Sequence, residues 1–204
     1  MEPIYLTALG FLDLVGIGMF ALSGALLAAQ KRQDFVTFVC FAVVTGVGGG
    51  TVRDLLISAP VFWVHENWIL LIGLAAALIA WFTPLRLLGR TGLVWADAVG
   101  IAAYATYGAA KALSFGIAPL PAIAMGVLTA CLGGIIRDVL AGEPSILLRQ
   151  EFYVTAAALS AALMVALNAS GVTELLAGAI AIVVGFALRA AAITRGWTLP
   201  TYRR

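Results

Sequence analysis

Charge is scarce in this chain. Of 204 residues, 12 are Lys or Arg and 10 are Asp or Glu, 11% in all, while 63% are hydrophobic and the mean hydropathy is +1.06. That charged share is about half that of an ordinary soluble domain. A soluble domain needs charge to cover its surface, so the shortage points to lipid as the main solvent. So apolar a composition also excludes a disordered chain. A net charge of +2 leaves no basic stripe to neutralise phosphates, which argues against nucleic-acid binding. Histidine and cysteine are almost missing. The single His65 and the two cysteines, Cys40 and Cys131, build no metal cluster and no nucleophile–base pair, so no cofactor and no enzyme activity are expected. Both cysteines sit in apolar runs and read as buried thiols rather than a disulfide.

What the chain has instead is long apolar runs. The start, Met1-Glu2-Pro3-Ile4-Tyr5, carries no positive charge, and the run behind it reaches Gln30 with only Asp13 inside it. This exceeds the about 7–15 residues of a signal-peptide core, so it is expected to stay as a first membrane helix. Seven spans are expected, at roughly 6–29, 35–57, 67–84, 92–113, 119–141, 152–169 and 173–193, joined by short polar turns. The expected architecture is an all-α membrane protein forming a single domain over 1–204. Lys31, Arg32, Arg86, Arg90, Arg149, Arg195, Arg203 and Arg204 fall on one side of this layout and only Lys111 on the other. The excess of basic residues on cytoplasmic loops then places the N-terminus outside and the C-terminus inside. Trp63, Trp68, Trp81, Trp95 and Trp197 fall near expected helix ends, as in an interfacial belt.

The chain repeats itself. A shift of 84 residues superimposes Asp13 on Asp97, Gly16 on Gly100, Gly24 on Gly108, Thr45 on Thr129, Gly49-Gly50 on Gly133-Gly134, Arg53-Asp54 on Arg137-Asp138 and Pro60 on Pro144, without a gap. Repeat one covers 5–85, repeat two 89–169, and a seventh helix at 172–194 lies outside. Three helices per copy make the second copy enter from the opposite side. The halves are therefore expected to be related by a pseudo-two-fold axis in the membrane plane.

Ionisable residues at membrane depth are costly and usually face protein or water. Asp13, Arg53, Asp54, Asp97, Arg137 and Asp138 all belong to the repeat. The first three fall in the outer half, the last three in the inner half. Neighbouring residues on a helix point about 100° apart. The expected ion pairs are therefore Asp13–Arg53 and Asp97–Arg137, with Asp54 and Asp138 left to face a water path or the opposite repeat. Buried ion pairs can equally serve only to fix helix register. Four Asp against two Arg leave −2, or −1 if Lys111 reaches in, and a negative lining favours cations.

Gly46, Gly48, Gly49 and Gly50 precede Arg53, and Gly133 and Gly134 precede Arg137. Glycine permits a kink or a broken turn whose carbonyls can coordinate a cation; close helix packing through small residues is the alternative. Gly46-Val47-Gly48-Gly49-Gly50-Thr51 lacks the later residues of a dinucleotide or phosphate loop, and no strand precedes it. Tyr104 and Tyr107 fall mid-helix near Lys111. They read either as lining or gating a path or as buried hydroxyls bonded to a neighbouring helix.

Two three-helix repeats, each with an early Asp and a Gly-Gly-x-x-Arg-Asp segment, plus a seventh helix, resemble the small bacterial relatives of the trimeric intracellular cation channels, which are also labelled glycine transporters. The resemblance spans about residues 5–195. It implies a homotrimer in a bacterial plasma membrane, each subunit with its own pore for monovalent cations, mainly potassium. It further implies that the first, second, fourth and fifth helices line the pore, with the second and fifth kinked at glycines. The positions carried over are Gly48, Gly49, Gly50, Arg53, Asp54, Gly133, Gly134, Arg137 and Asp138. Leu132 stands where the first copy has Gly48, so the second kink is expected to be milder. A secondary transporter of a small solute such as glycine is the main rival, since inverted repeats also suit alternating access. A scaffold without transport is the third reading.

Overall fold

A computed structural model describes residues 8–148 and 150–200, and side chains except those of 8–9 and 85–90. Arg149, Arg203, Arg204 and the side chains of Arg86 and Arg90, all used above for orientation, lie outside the described residues. Seven α-helices follow one another among the described residues. They are α1 (Ala8–Gln30), α2 (Phe35–Leu56), α3 (Asn67–Phe82), α4 (Leu85–Ser114), α5 (Pro119–Leu140), α6 (Val154–Ala169) and α7 (Glu174–Arg195). Short 3₁₀ turns at Phe62–Val64 and Ile146–Leu148 precede α3 and α6. By length and composition Gly10–Gln30, Phe35–Leu56, Pro119–Leu140 and Glu174–Arg195 can each cross a bilayer, with mean hydropathies of 2.0, 1.9, 1.9 and 2.2. The third helix of each repeat is the short one. α3 and α6 have 16 residues apiece, about 24 Å of helix against a hydrocarbon core of about 30 Å.

Local chemistry sets the boundaries. Asp34 caps α2: its Oδ1 accepts from the Thr37 N–H at 2.9 Å, and that bond holds its carboxyl below the usual carboxylate range. Pro119 opens α5, where its missing N–H costs nothing. α4 begins at Leu85 rather than near 92, since the Leu- and Arg-rich stretch after Pro84 continues the helix instead of breaking it. Trp95 consequently lies well inside α4, packed on Phe186 of α7 with ring centroids 6.1 Å apart, and not at a helix end. Cys131 is buried as expected, but Cys40 is exposed on the outer side of α2. Both are free thiols.

The duplication reaches the backbone. Left-handed conformations occur at Arg32 (φ 54°) and Gly116 (φ 77°), and again at Ser58 (φ 55°) and Gly142 (φ 65°). Each pair is separated by the repeat shift. The two 3₁₀ turns are separated by the same shift. The first two helices of each repeat also pack on their counterparts, α1 on α4 and α2 on α5. Lipid tails compete with apolar side chains, so such contacts depend on close approach at small residues. Gly16 backs onto the ring of Tyr104 in α4, and Gly100 backs onto Phe20 in α1. Phe20 and Tyr104 are themselves repeat equivalents, with ring centroids 5.5 Å apart and planes tilted by 37°.

The glycine clusters do not break their helices. α2 is helical through Gly46–Gly50 and α5 through Gly133–Gly134. A side chain at Gly49 would run into the Thr129 carbonyl, and one at Gly133 into the Thr45 carbonyl. These two contacts exchange under the repeat relation, so α2 and α5 cross backbone to backbone at the pseudo-two-fold axis. The crossing, rather than an opened turn with exposed carbonyls, is what requires glycine there. Gly48 is looser, facing the end of the Ile136 side chain at 3.1 Å, which explains why its counterpart can be Leu132.

α7 packs on α4 and α6. Its C-cap Gly196 takes a left-handed conformation (φ 64°) and turns the chain back across the bundle. There the Leu199 N–H donates to the Gln150 carbonyl at 2.9 Å, and Thr198 pairs with Glu151 in an isolated antiparallel bridge. Lys31, just after α1, meets Glu143, just after α5, at 2.5 Å. The ends of α1, α5 and α7 therefore share one face.

Candidate functional site

Both Arg-Asp segments lie in the last turns of their helices, and both are almost wholly buried. In the first, Arg53 Nε donates to Asp54 Oδ1 at 2.8 Å and Nη2 lies 2.8 Å from the same oxygen. This overturns the expectation that adjacent residues cannot pair. The Cβ directions do diverge, but the arginine side chain is long enough to curl around the helix and reach its neighbour. Lys111 Nζ, from α4, is 2.9 Å from Asp54 Oδ1. Asp54 Oδ2 accepts from the Phe62 N–H at 3.1 Å.

The expected Asp13–Arg53 ion pair is not formed. Asp13 is buried and feels the charges of Arg53, Lys111 and Asp54. Even so, among the described residues no N···O contact of 4.0 Å or less joins it to Arg53. The guanidinium is instead drawn toward Asp54 and sits over the ring of Tyr107 at 4.9 Å and that of Phe62 at 5.9 Å. Tyr104 donates its hydroxyl hydrogen to the Gly46 carbonyl of α2 at 2.9 Å, the neighbouring-helix bond weighed above.

The second cluster makes the pair that the first does not. Arg137 Nη1 donates to Asp97 Oδ1 at 2.7 Å and to Ser23 Oγ at 2.8 Å, while Nε donates to Asp138 Oδ1 at 2.9 Å. Asp138 Oδ2 accepts from the Ile146 N–H at 2.9 Å. Ser23 and Tyr107 are repeat equivalents, each reaching from the first helix of one repeat to the arginine of the other. The small hydroxyl leaves room for a direct Asp–Arg contact; the aromatic ring stacks on the arginine instead. Position 27 breaks the symmetry too, since the equivalent of Lys111 is Leu27.

Asp54 and Asp138 therefore do not stand free before a water path. Each fixes its arginine and pins the first backbone N–H of the 3₁₀ turn behind it, which shapes the loop leading to the next helix. The sequence could have suggested this through Pro60 and Pro144, which follow each Asp at the same interval and mark a tight return. Replacing Ser23 with Ala removes a hydrogen bond to a charged group and is expected to cost about 1.5–3 kcal/mol. Thermal unfolding in detergent would show this as a lowered midpoint.

A cavity of ≈ 630 Å³ opens on the face shared by the ends of α1, α5 and α7. Its walls carry Asp97, Asp138, Glu143 and Glu151 against Lys31, Arg137 and Arg189, a formal excess of one negative charge. It thus reaches the second cluster but not Arg53, Asp54 or Lys111. Arg189 and Glu151 escaped the sequence reading. Arg189 Nη2 donates to Glu151 Oε2 at 2.5 Å, and its guanidinium lies 5.6 Å from the Tyr153 ring centroid. The available signal was a lone charge well inside the seventh apolar run.

A solved TRIC trimeric intracellular cation channel orthologue from Rhodobacter sphaeroides matches the chain with 44% identity and a TM-score of 0.86, over 93% of this chain and 98% of that one. The chain belongs to the TRIC channel family. The family model described as Glycine transporter matches it twice, at residues 10–84 and 94–169. A prokaryotic TRIC channel solved in 0.5 M KCl is 28% identical with a TM-score of 0.84, over 94% of this chain and 98% of that one. A membrane protein of Vibrio cholerae is 38% identical over 94% of this chain and 81% of its own, and the inner membrane protein YadS of Escherichia coli is 43% identical over 72% of each. This TRIC family member is accordingly a multi-pass, all-α membrane protein with two inverted three-helix repeats and a seventh helix. The matched TRIC structures are channels by name, not enzymes.

Proposed function

We propose that the protein is a monovalent cation channel, conducting mainly potassium, with one pathway per subunit between its inverted repeats. The observation that carries this reading is the net-negative cavity that reaches Asp97, Arg137 and Asp138 at membrane depth. A negative wall raises the local cation concentration, and the solved TRIC relatives at 28–44% identity are cation channels by name. On this reading the pathway runs from the cavity past Gly133 and Gly134 and the α2–α5 crossing at Gly48, Gly49 and Gly50. It continues toward Asp13, Tyr104, Tyr107, Lys111, Arg53 and Asp54. The subunits assemble as a homotrimer, as that relative's name suggests, with the cavity facing the cytoplasm and the N-terminus outside.

Purified protein in planar bilayers should carry a potassium current above that of empty bilayers; no such current would count against the channel. Asp138→Asn keeps the acceptor for the Ile146 N–H and removes one negative charge from the wall. It should lower conductance about two-fold at low salt, and an unchanged current would take Asp138 out of the pathway. A secondary transporter of glycine is the alternative, favoured by walls that carry both signs of charge, as a zwitterion requires. Saturable, gradient-driven uptake of labelled glycine into proteoliposomes would establish it.

A further inference from the structure

We propose that Arg189 of α7 is a selectivity-tuning charge of the inner cavity, set against Glu151, so that the helix outside the repeats governs how strongly cations collect there. The proposal rests on the channel reading. Arg189 is the one basic side chain that α7 contributes to the cavity wall among the described residues. It is 3% exposed, fixed by Glu151 at 2.5 Å and seated against Tyr153. Glu151 is more open, with a side chain 37% exposed, and is held in place by the bridge to Thr198.

The repeats alone would give the cavity Asp97, Asp138, Glu143 and Glu151 against Arg137 and Lys31, a formal excess of two negative charges. α7 halves that excess by adding Arg189, which is buried where its partner Glu151 is the more exposed end of the pair. A cation entering from that face meets Glu151 first and is opposed by Arg189 further in. Such a pair acts on permeation through its field, and a field is screened over about 10 Å at 0.1 M salt and about 3 Å at 1 M.

This makes the role separable from simple stapling of α7. Arg189→Gln and Glu151→Gln break the same ion pair, so a purely mechanical pair predicts shifts in the same direction. An electrostatic pair predicts opposite ones. Arg189→Gln should raise potassium conductance about two-fold at 0.1 M salt, Glu151→Gln should lower it, and both should approach wild type near 1 M.

A second readout needs no current. Leu93→Cys in the cavity wall, in a Cys40→Ala background, is modified with a cationic and an anionic methanethiosulfonate reagent. The cation-to-anion rate ratio should rise with Arg189→Gln, fall with Glu151→Gln, and stay at the parent value with Arg189→Lys. If Arg189→Gln fails to fold, Glu151→Gln decides by its salt dependence: a fall that vanishes near 1 M supports the field, and one that persists overturns it. Shifts of the same sign, shifts that persist at 1 M salt, or no shift overturn the proposal while leaving a conducting wild type as a channel. A wild type without potassium current overturns the channel reading and this role with it.

Discussion

Replacing Arg137 with Met is expected to leave little folded protein. Arg137 is 2% exposed and holds Asp97, Asp138 and Ser23 at once. Without it two carboxylates remain buried with no cation to pair with, and Asp97 Oδ2 already has no hydrogen-bond partner. Removing one partner of a buried ion pair costs about 3–5 kcal/mol, a large part of the about 5–15 kcal/mol that keeps a typical domain folded. Size-exclusion profiles of detergent-extracted protein should show aggregation or loss, and any folded remainder should melt far below wild type. Arg53→Met should be milder, because Lys111 still stands 2.9 Å from Asp54. Combining Arg137→Met with Asp97→Leu should recover part of the loss, since one stranded carboxylate goes with it. A melting point for Arg137→Met within a few degrees of wild type would show that the cluster does not hold the bundle together.

The second large effect is expected from a single methyl group. Gly49→Ala places its Cβ against the Thr129 carbonyl, and Gly133→Ala meets the Thr45 carbonyl in the same way. Neither obstacle is a flexible side-chain end; both are helix backbone, so α2 and α5 must move apart along their length. Overpacking of this kind costs typically about 1–3 kcal/mol and occasionally more, and here the separation would also disturb Arg53 and Arg137, one turn further on. Gly48→Ala is the control. Its new methyl would meet the tip of Ile136 at 3.1 Å, which can swing aside. Thermal unfolding should rank Gly49→Ala and Gly133→Ala well below Gly48→Ala. Three equal midpoints would mean that the crossing is not tight.

Both predictions depend on geometry that hydropathy does not carry. The seven helices were legible because each is a long apolar run between polar turns, and four of them are long and apolar enough to cross a bilayer by themselves. The 84-residue duplication was legible because Asp, Arg and paired Gly are rare enough here for their coincidence to stand out. Membership of the TRIC family followed from the same residues. The Asp97–Arg137 pair was anticipated as well, whereas its twin at Asp13 and Arg53 was not formed. The reason lies at positions 23 and 107, where a serine admits a direct contact and a tyrosine ring takes its place. No pattern within either repeat reveals this, because each of these residues acts on the other repeat.

The glycine clusters teach the same lesson. Composition allowed a broken helix or a close crossing, and the energy that separates them resides in what stands opposite, a carbonyl of Thr45 or Thr129. Arg189 was overlooked since its partner, Glu151, lies 38 residues away and is brought to it by the packing of α7 on α6. Sequence thus sufficed for what local chemistry controls, namely solvent, span number, duplication and which residues are charged. Which charges meet, and which of them face a cavity, was settled by packing, because a buried ion pair is decided by the last few ångströms between helices.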